Sequence, residues 1–492
     1  MSTNKIKKGI ASDSIVFILT VSIGFAVVPL YLSYISIVEY GIYVAVQAIV
    51  AVVSLADIGL TLYLTKKLSN DKLFKSKNVK TALSSAQIFQ YSLAVLLLLL
   101  GVLISAFTSK ILNVDSDFAI ETNLLFLFAW FSVIVSVVFG LNHAILKSRH
   151  ELQFMNYAIF MILVLSSGLN IVFLHQGFSI KWMGLSLFLS TLIVNLFILF
   201  SVYKKYDIFI LKIAFFDKHF VKDGWQYVKQ FQILRIAQVS KTSLFTILLS
   251  SYAGQTLVAQ YNVTNKVPGI VPAFISKVVM NFFPRFSSYL ERGKIDELQN
   301  EYKVIFRYSI FVTVFVGLAI WLANPSFVFM WVGQEIFIDN QIFLVMIITM
   351  AVMLLTSFTG LIIQASGDFQ LMPHFSMLEV IVFLILSYVL FQLNGVIGFF
   401  IGFAISSSIG LLYSFVLVSK IIRMNIFKWL KADYLRLLLV SLLIVGVDYF
   451  LKDNLESNWL YLFCFTLILL PMFIYFSNQY VNLKLLLKGR VA

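Results

Sequence analysis

The chain has 492 residues, 60% of them hydrophobic and only 12% charged, whereas soluble chains are about 45–50% apolar and about 25% charged. A soluble globule could not cover so much apolar surface, and the single cysteine, Cys464, excludes a disulfide framework and a cysteine-based metal site. The formal net charge of +14 is therefore interpreted first as a membrane-topology signal, not as a sign of nucleic-acid binding.

Apolar stretches of about 20 residues recur along the whole sequence, and each could cross about 30 Å of hydrocarbon. We predict an all-α integral membrane protein with about fourteen transmembrane helices. In chain order the predicted spans are 14–35, 41–64, 84–107, 121–145, 154–175, 183–203, 230–252, 258–283, 305–325, 342–365, 374–393, 395–418, 434–451 and 459–478. The seventh and eighth differ from the others because they carry charges and prolines.

The basic residues are distributed unevenly between the segments that connect these spans. If the N-terminus is cytoplasmic, about thirty of the 37 Lys and Arg residues lie on the cytoplasmic side, and only Lys110, Lys181 and Lys452 lie outside. Lys and Arg favour the cytoplasmic side of short loops. Both termini are therefore predicted to be cytoplasmic.

The spacing of the spans predicts two repeated units. The basic segment 204–229 follows six spans, and six more spans extend to about residue 418, as in transporters built from parallel repeats. We predict an N-terminal six-helix lobe over 1–205, a C-terminal six-helix lobe over 206–420, and two additional helices over 421–492. The loops are too short for a soluble catalytic domain. No Walker A motif and no metal-ligand spacing occurs, so we predict no catalytic residues, no metal site and no cofactor.

Arg307 and Arg436 fall at the very start of predicted spans and are counted with the cytoplasmic segments. Four further basic residues lie deeper within predicted spans: Arg235 and Lys241 in the seventh, and Lys266 and Lys277 in the eighth. A basic residue at the centre of a membrane helix costs about 2.5–3.5 kcal/mol on insertion scales. These residues are therefore expected to face a water-filled cavity, although snorkelling to an interface or pairing with acids is the alternative. A cavity lined by cations is suited to a diphosphate, whose oxygens accept hydrogen bonds from ammonium and guanidinium groups.

Helical spacing predicts a common face for each pair of cations. Lys266 and Lys277 are eleven residues apart, which is close to three turns. Polar residues of the seventh span should form a second stripe, and the two stripes could line one side of a central cavity. This second stripe consists of Arg235, Gln238, Lys241 and Thr242.

Two acidic residues within the spans have alternative roles. Asp57 and Glu379 could take up a proton or cation and couple transport to an ion gradient, or they could be structural partners of a lysine or of the backbone. Small residues recur every four positions in the twelfth span, at Gly398, Gly402, Ser406 and Gly410. This spacing favours close helix packing.

Four short motifs resemble a known family. Glu39-Tyr40-Gly41-Ile42-Tyr43 and Asp57-Ile58-Gly59-Leu60 lie in the first half, and Ala259-Gln260-Tyr261-Asn262 and Phe283-Pro284-Arg285-Phe286-Ser287 lie in the second. Together with the layout of six, six and two spans, they resemble the polysaccharide-type flippases of the multidrug/oligosaccharidyl-lipid/polysaccharide exporter superfamily.

The resemblance implies a function. It implies translocation of an undecaprenyl-diphosphate-linked O-antigen or related polysaccharide unit to the outer leaflet of a bacterial cytoplasmic (inner) membrane, by alternating access. The partners would be this lipid-linked oligosaccharide, membrane lipids, and a polysaccharide polymerase or other assembly proteins, but no nucleic acid.

Three other functions remain open on the sequence. Another anionic lipid, such as a peptidoglycan or teichoic acid precursor, could be the substrate. A cation-coupled drug antiporter of the same superfamily should concentrate acids rather than bases at its site. A membrane glycosyltransferase or polymerase would need catalytic acids and a sizeable loop.

Overall fold

The computed structural model describes residues 3–54, 60–69, 77–206, 216–333, 336–367 and 371–426. These residues form helices, and no strand occurs among them, which confirms the predicted all-α membrane fold. Within the described ranges, eleven helices are long and apolar enough to cross a membrane, and Ile37–Val53 is a shorter apolar helix. The predicted spans 434–451 and 459–478 lie outside the described residues.

The chain divides into two compact units, Met1–Ala259 and Gln260–Ala492. The helices of the first unit are α1 (Thr3–Leu32), α2 (Ile37–Val53), α3 (Leu60–Ser69), α4 (Lys77–Ser105), α5 (Thr108–Ile111), α6 (Ser116–Val138), α7 (Gly140–Ser148), α8 (Leu152–His175), α9 (Lys181–Tyr206) and α10 (Lys218–Ala253). The division falls within α11 (Gln255–Thr264). The described helices of the second unit are α12 (Lys266–Val279), α13 (Phe283–Glu291), α14 (Ile295–Val332), α15 (Asn340–Ala365), α16 (Leu371–Asn394) and α17 (Val396–Ile421).

The compact units divide at 259/260, beyond α10 and part of α11, whereas the predicted lobes meet at 205/206 and stay a prediction. The predicted seventh span corresponds to α10, and α10 packs against α2, α3 and α4 of the first unit. The basic segment 204–229 differs in composition from the spans, but composition does not reveal on which helices the next span will pack. The seventh helix therefore belongs to the first compact unit.

The motif at the start of α2 has a structural role. Ser36 and Glu39 form a capping box, in which the Ser36 hydroxyl accepts a hydrogen bond from the Glu39 N–H and the Glu39 carboxylate accepts one from the Ser36 N–H. Tyr40 is buried, and a Cβ at Gly41 would lie only 1.9 Å from the Gln255 carbonyl oxygen. Gly41 therefore allows the backbone of α2 to approach the start of α11.

Small residues bring α16 and α17 together in the second unit, as their spacing predicts. A Cβ at Gly398 would lie 2.0 Å from the Leu390 carbonyl oxygen, and one at Gly402 would lie 2.7 Å from the backbone of Ser387. In a bilayer the apolar surface of a helix is as well solvated by lipid as by another helix, so close backbone packing carries much of the association. These small residues of α17 thus form a surface on which α16 packs.

Candidate functional site

A proline sets the junction between α11 and α12. Pro268 has no N–H to donate to the Thr264 carbonyl four residues earlier, so the hydrogen bond that would continue α11 is missing, and α11 ends at Thr264. The Thr264 carbonyl instead accepts a hydrogen bond from Asn324 Nδ2 at 2.9 Å, and the Thr264 hydroxyl accepts one from the Ile338 N–H at 3.2 Å. These contacts hold the break of the predicted eighth span in one position within the second unit.

The break places Lys266 at the start of a helix. Lys266 is the first residue of α12 and is partly buried. The backbone N–H groups of a first helical turn lack intrahelical partners, and the helix dipole adds positive charge there. In α12 this effect is reduced, because Pro268 has no N–H and the Gly269 N–H donates to the Asn265 carbonyl at 2.8 Å. The ammonium group of Lys266 is therefore the main positive charge at this end of the helix.

Lys277 lies on the same helix and the same face. α12 is unbroken from Lys266 to Val279, so the eleven-residue separation spans about 16 Å. Lys277 is exposed, as are Gly269 and Ala273 on that face. The predicted common face of the two lysines is therefore present within α12.

The cations of α10 do not share one face. Lys241 is only 8% exposed and lies on the buried face of α10 with Ala237 and Phe245, four residues before and after it. Arg235 is exposed on another side of the helix. The exposed side chains of Gln238 and Thr242 follow Arg235 at three and seven residues. The predicted four-residue stripe is thus divided, because packing of α10 buries Lys241 alone.

Of the two acidic candidates, the structure describes only Glu379. Asp57 lies outside the described residues. Glu379 is partly buried on α16, and a Cβ at Gly410 of α17 would lie 3.0 Å from its carboxyl group. The absence of a side chain at Gly410 therefore makes room for this carboxyl group. A role for Glu379 in ion coupling or in structural pairing stays a prediction.

An ion pair that sequence reasoning missed joins α13 to α14. Arg285, in the Phe-Pro-Arg-Phe motif, donates from Nε to the Tyr289 hydroxyl at 3.1 Å, and the same nitrogen lies 3.0 Å from the Glu301 carboxylate. The Glu301 side chain is only 5% exposed. From the sequence alone, cations outside the predicted spans are interpreted only as topology signals. The available signal for this pair was an acidic residue sixteen positions after the motif arginine.

Substitution of Arg285 with methionine should destabilise the protein. The nearly buried Glu301 carboxylate would lose its cationic partner, and an unsatisfied buried group costs about 1–3 kcal/mol. Thermal unfolding in detergent should show a lower Tm for Arg285→Met. The double variant Arg285→Met/Glu301→Gln should recover much of the loss because it removes the unpaired charge. Equal Tm values for both variants would show that the charge on Glu301 is irrelevant.

Comparisons with known proteins place this architecture in a recognised group. Residues 6–290, more than half of the chain, match the family described as "Polysaccharide biosynthesis protein". A comparison with curated protein sequences returns no match.

Solved structures share the fold over most of the chain. A lipid II flippase, MurJ, in an inward closed conformation has a TM-score of 0.71 at 15% identity, covering 97% of this chain and 99% of its own. An inward-facing multidrug resistance MATE family transporter of the MOP superfamily has a TM-score of 0.68 at 14% identity, covering 84% and 99%. A MOP superfamily transporter from Pyrococcus furiosus, reported to have a binding pocket of reverse polarity, has a TM-score of 0.50 at 14% identity, covering 85% and 94%. At these identities the likeness concerns the fold.

Proposed function

The chain belongs to the polysaccharide biosynthesis protein family, and from this premise we propose that it is a lipid-linked oligosaccharide flippase. Its substrate would be an undecaprenyl-diphosphate-linked O-antigen or related polysaccharide unit. Alternating access would move this unit from the cytoplasmic to the outer leaflet of a bacterial cytoplasmic membrane. The reaction is transport, and no covalent bond of the substrate changes.

The observation that carries the proposal is the position of Lys266. This lysine is partly buried at the first turn of α12, where its ammonium group supplies a full positive charge. An ammonium group binds phosphate as a point charge, and a diphosphate offers it several oxygens. The site therefore suits the one chemical group that every undecaprenyl-diphosphate-linked substrate has in common.

The other three cations contribute in different degrees. Lys277 lies about 16 Å further along the same face of α12 and would offer a second contact as the headgroup moves. Arg235 is exposed on α10 and could bind phosphate oxygens bidentately. Lys241 is buried, so solvent screens its charge less, and it would act on a headgroup through its electric field.

The surface of the helices suits the polyprenyl chain. α4 and α9 expose large apolar side chains such as Leu99, Leu103 and Phe200. Such side chains face hydrocarbon at no cost. The lipid tail can therefore remain in the bilayer while only the polar headgroup passes through the protein.

Removing two charges without removing their stems tests the proposal. In a strain that lacks the chromosomal gene, the double variant Lys241→Met/Lys266→Met should abolish surface polysaccharide, because methionine retains most of the apolar stem but not the ammonium group. Polysaccharide on the cell surface is measured by gel electrophoresis, and the protein in the membrane is measured by immunoblot.

A matched variant controls for a general loss of positive charge. Lys147 and Lys204 are exposed in the first unit, and Lys147→Met/Lys204→Met removes the same two charges. This control should support polysaccharide near the wild-type level. Wild-type polysaccharide in the Lys241→Met/Lys266→Met strain, at equal protein level, would overturn the assignment of these lysines.

The likeness to a lipid II flippase over nearly all of both chains favours a second candidate substrate, a peptidoglycan precursor. Both candidates are undecaprenyl diphosphates, so the cations do not separate them. A complementation experiment separates the two substrates. Expression of the gene should restore growth to cells depleted of their lipid II flippase only if this protein transports the peptidoglycan precursor. A drug antiporter is less supported, because the charged candidates on α10 and α12 are basic.

A further inference from the structure

The N-terminal part of α10 extends beyond the membrane-crossing stretch. The apolar stretch of this helix is Gln232–Ala253, and residues 218–231 precede it without a break. At 1.5 Å per residue this segment is about 21 Å long, whereas the headgroup region is about 5–8 Å deep on each side of the hydrocarbon. The segment therefore passes through the headgroup layer on the side where the basic loops collect.

One face of this segment is packed against the protein. Phe220, Gly224 and Val228 recur every four residues and are buried. The Phe220 ring lies 5.1 Å from the ring of Tyr63 on α3, and the Tyr227 ring lies 5.7 Å from Tyr63. Aromatic contacts at these distances stabilise the pair beyond the area that they bury. The segment is thus held against α3.

The start of α10 is also anchored. The Asp217 N–H donates to the Ser85 hydroxyl of α4 at 2.8 Å, and the Asp217 carboxylate caps the helix by accepting from the His219 N–H at 2.8 Å. Lys66 Nζ lies 4.1 Å from the centre of the Tyr227 ring. Because the segment is fixed at its start and along one face, its opposite face has a defined direction.

That opposite face carries three lysines and a tryptophan. Lys218, Lys222, Trp225 and Lys229 follow each other at intervals of four, three and four residues, so they project within about 60° of one another. All four are exposed, and Trp225 is 45% exposed. We call these four residues the Lys–Trp stripe. Asp223 projects about 100° from Lys222 and lies off the stripe.

The composition of the stripe matches the chemistry of an anionic bilayer surface. Juxtamembrane lysines bind anionic headgroups electrostatically, and tryptophan is enriched at the depth of the headgroups. Lys229 lies about 5 Å along the axis from Gln232, within the headgroup layer, and Trp225 lies about 10 Å from Gln232, just on the water side of that layer. Lys222 and Lys218 lie further from the hydrocarbon, at a distance where the negative surface potential of an anionic leaflet still acts.

We propose that the Lys–Trp stripe of α10 binds the anionic headgroups of phospholipids in the leaflet on the basic-loop side. This binding would hold the first unit at a defined depth in the membrane. The proposal does not depend on the nature of the transported lipid, because the stripe lies on the outer face of α10 and bulk phospholipid is its ligand.

Lipid retention by the full-length protein tests the proposal. Delipidated protein in detergent is titrated with phosphatidylglycerol or phosphatidylethanolamine, and bound lipids are counted by native mass spectrometry. Wild-type protein should prefer phosphatidylglycerol. Lys218→Gln/Lys222→Gln/Lys229→Gln should weaken this binding by about fivefold for each lysine removed at low salt. Added salt should reduce the difference between the two proteins.

A control removes the same charge elsewhere on the same unit. Lys80, Lys147 and Lys204 are exposed and belong to the basic-loop side, so Lys80→Gln/Lys147→Gln/Lys204→Gln is matched in number and in chemistry. These three lysines lie on three different helices, α4, α7 and α9, and share no single face, so their loss should reduce phosphatidylglycerol binding less than loss of the stripe. Equal loss in both triple variants, or no loss in the stripe variant, would overturn the proposal.

A measurement on protein with the stripe intact covers the case in which the triple variant does not fold. Gln226 is exposed beside the stripe, and a nitroxide on Gln226→Cys in a Cys464→Ser background reports its surroundings. The label should be less accessible to a water-soluble nickel chelate in vesicles containing phosphatidylglycerol than in vesicles of phosphatidylcholine alone. Equal accessibility in the two vesicles contradicts the proposed binding.

Discussion

Replacing Lys266 with glutamate should eliminate binding of undecaprenyl diphosphate to the purified protein. Lys266 is partly buried at the first turn of α12, so water screens its charge less than it screens an exposed lysine. At an effective dielectric constant of about 20, two unit charges 4 Å apart interact by about 4 kcal/mol. Reversal turns this attraction into repulsion, so affinity should fall by about a thousandfold or more.

The conservative variant distinguishes charge from shape at this position. Lys266→Arg keeps the positive charge and should bind within about tenfold of wild type. Lys110→Glu reverses the charge of an exposed lysine on α5 and should have little effect. Binding is measured by isothermal titration calorimetry in detergent with undecaprenyl diphosphate itself. Wild-type affinity in Lys266→Glu would remove Lys266 from the substrate site, whatever substrate the protein carries.

Replacing Gly398 with leucine should prevent folding of the second unit. A Cβ at this position would lie 2.0 Å from the Leu390 carbonyl oxygen, which is backbone and cannot move unless α16 moves as a whole. Separation of α16 from α17 would also open the contact at Gly402, where a Cβ would lie 2.7 Å from the backbone of Ser387. Helix pairs in a membrane depend on this close approach, so its loss should not be compensated elsewhere.

Fluorescence-detected gel filtration of a fusion protein measures the outcome. Gly398→Leu should give aggregate and no monodisperse peak. Gly168→Leu is the matched control, because Gly168 lies inside α8 with no neighbouring atom within 4 Å of its missing Cβ. That variant should fold normally, since leucine is a better helix former than glycine. A monodisperse Gly398→Leu protein with unchanged Tm would show that α16 and α17 do not pack closely at Gly398 and Gly402.

The helices were predictable because they depend on composition and length. Eleven of the twelve predicted spans up to residue 418 correspond to helices long and apolar enough to cross a membrane within the described residues, because a run of about 20 apolar residues has few alternatives in a bilayer. The second, 41–64, includes residues outside the described part of the chain. Two predicted spans contain breaks within the described residues, 121–145 at Phe139 and 258–283 at Asn265. The division at Asn265 lies three residues before Pro268, but Pro29, Pro272 and Pro325 lie inside helices that continue, so a proline by itself does not predict a break.

The direction of a candidate side chain could be predicted only where it depends on the geometry of a single helix. The shared face of Lys266 and Lys277 follows from helical periodicity alone. The orientation of Lys241 does not, because it depends on which side of α10 packs against α2, α3 and α4. The pairing of Arg285 with Glu301 was missed for the same reason: the two residues meet only when α13 folds against α14.

The sequence by itself determined that the protein is an all-α membrane protein, where most of its helices lie, and that its unusual cations fall in the seventh and eighth spans. These properties depend on hydropathy and helical period, which are local. The tertiary structure alone decided that α10 belongs to the first unit, that Lys241 is buried while Arg235 is exposed, and that Lys218, Lys222, Trp225 and Lys229 form an outward face. The direction of a side chain follows from the helices packed around it, and that packing is not encoded in any short stretch of the chain.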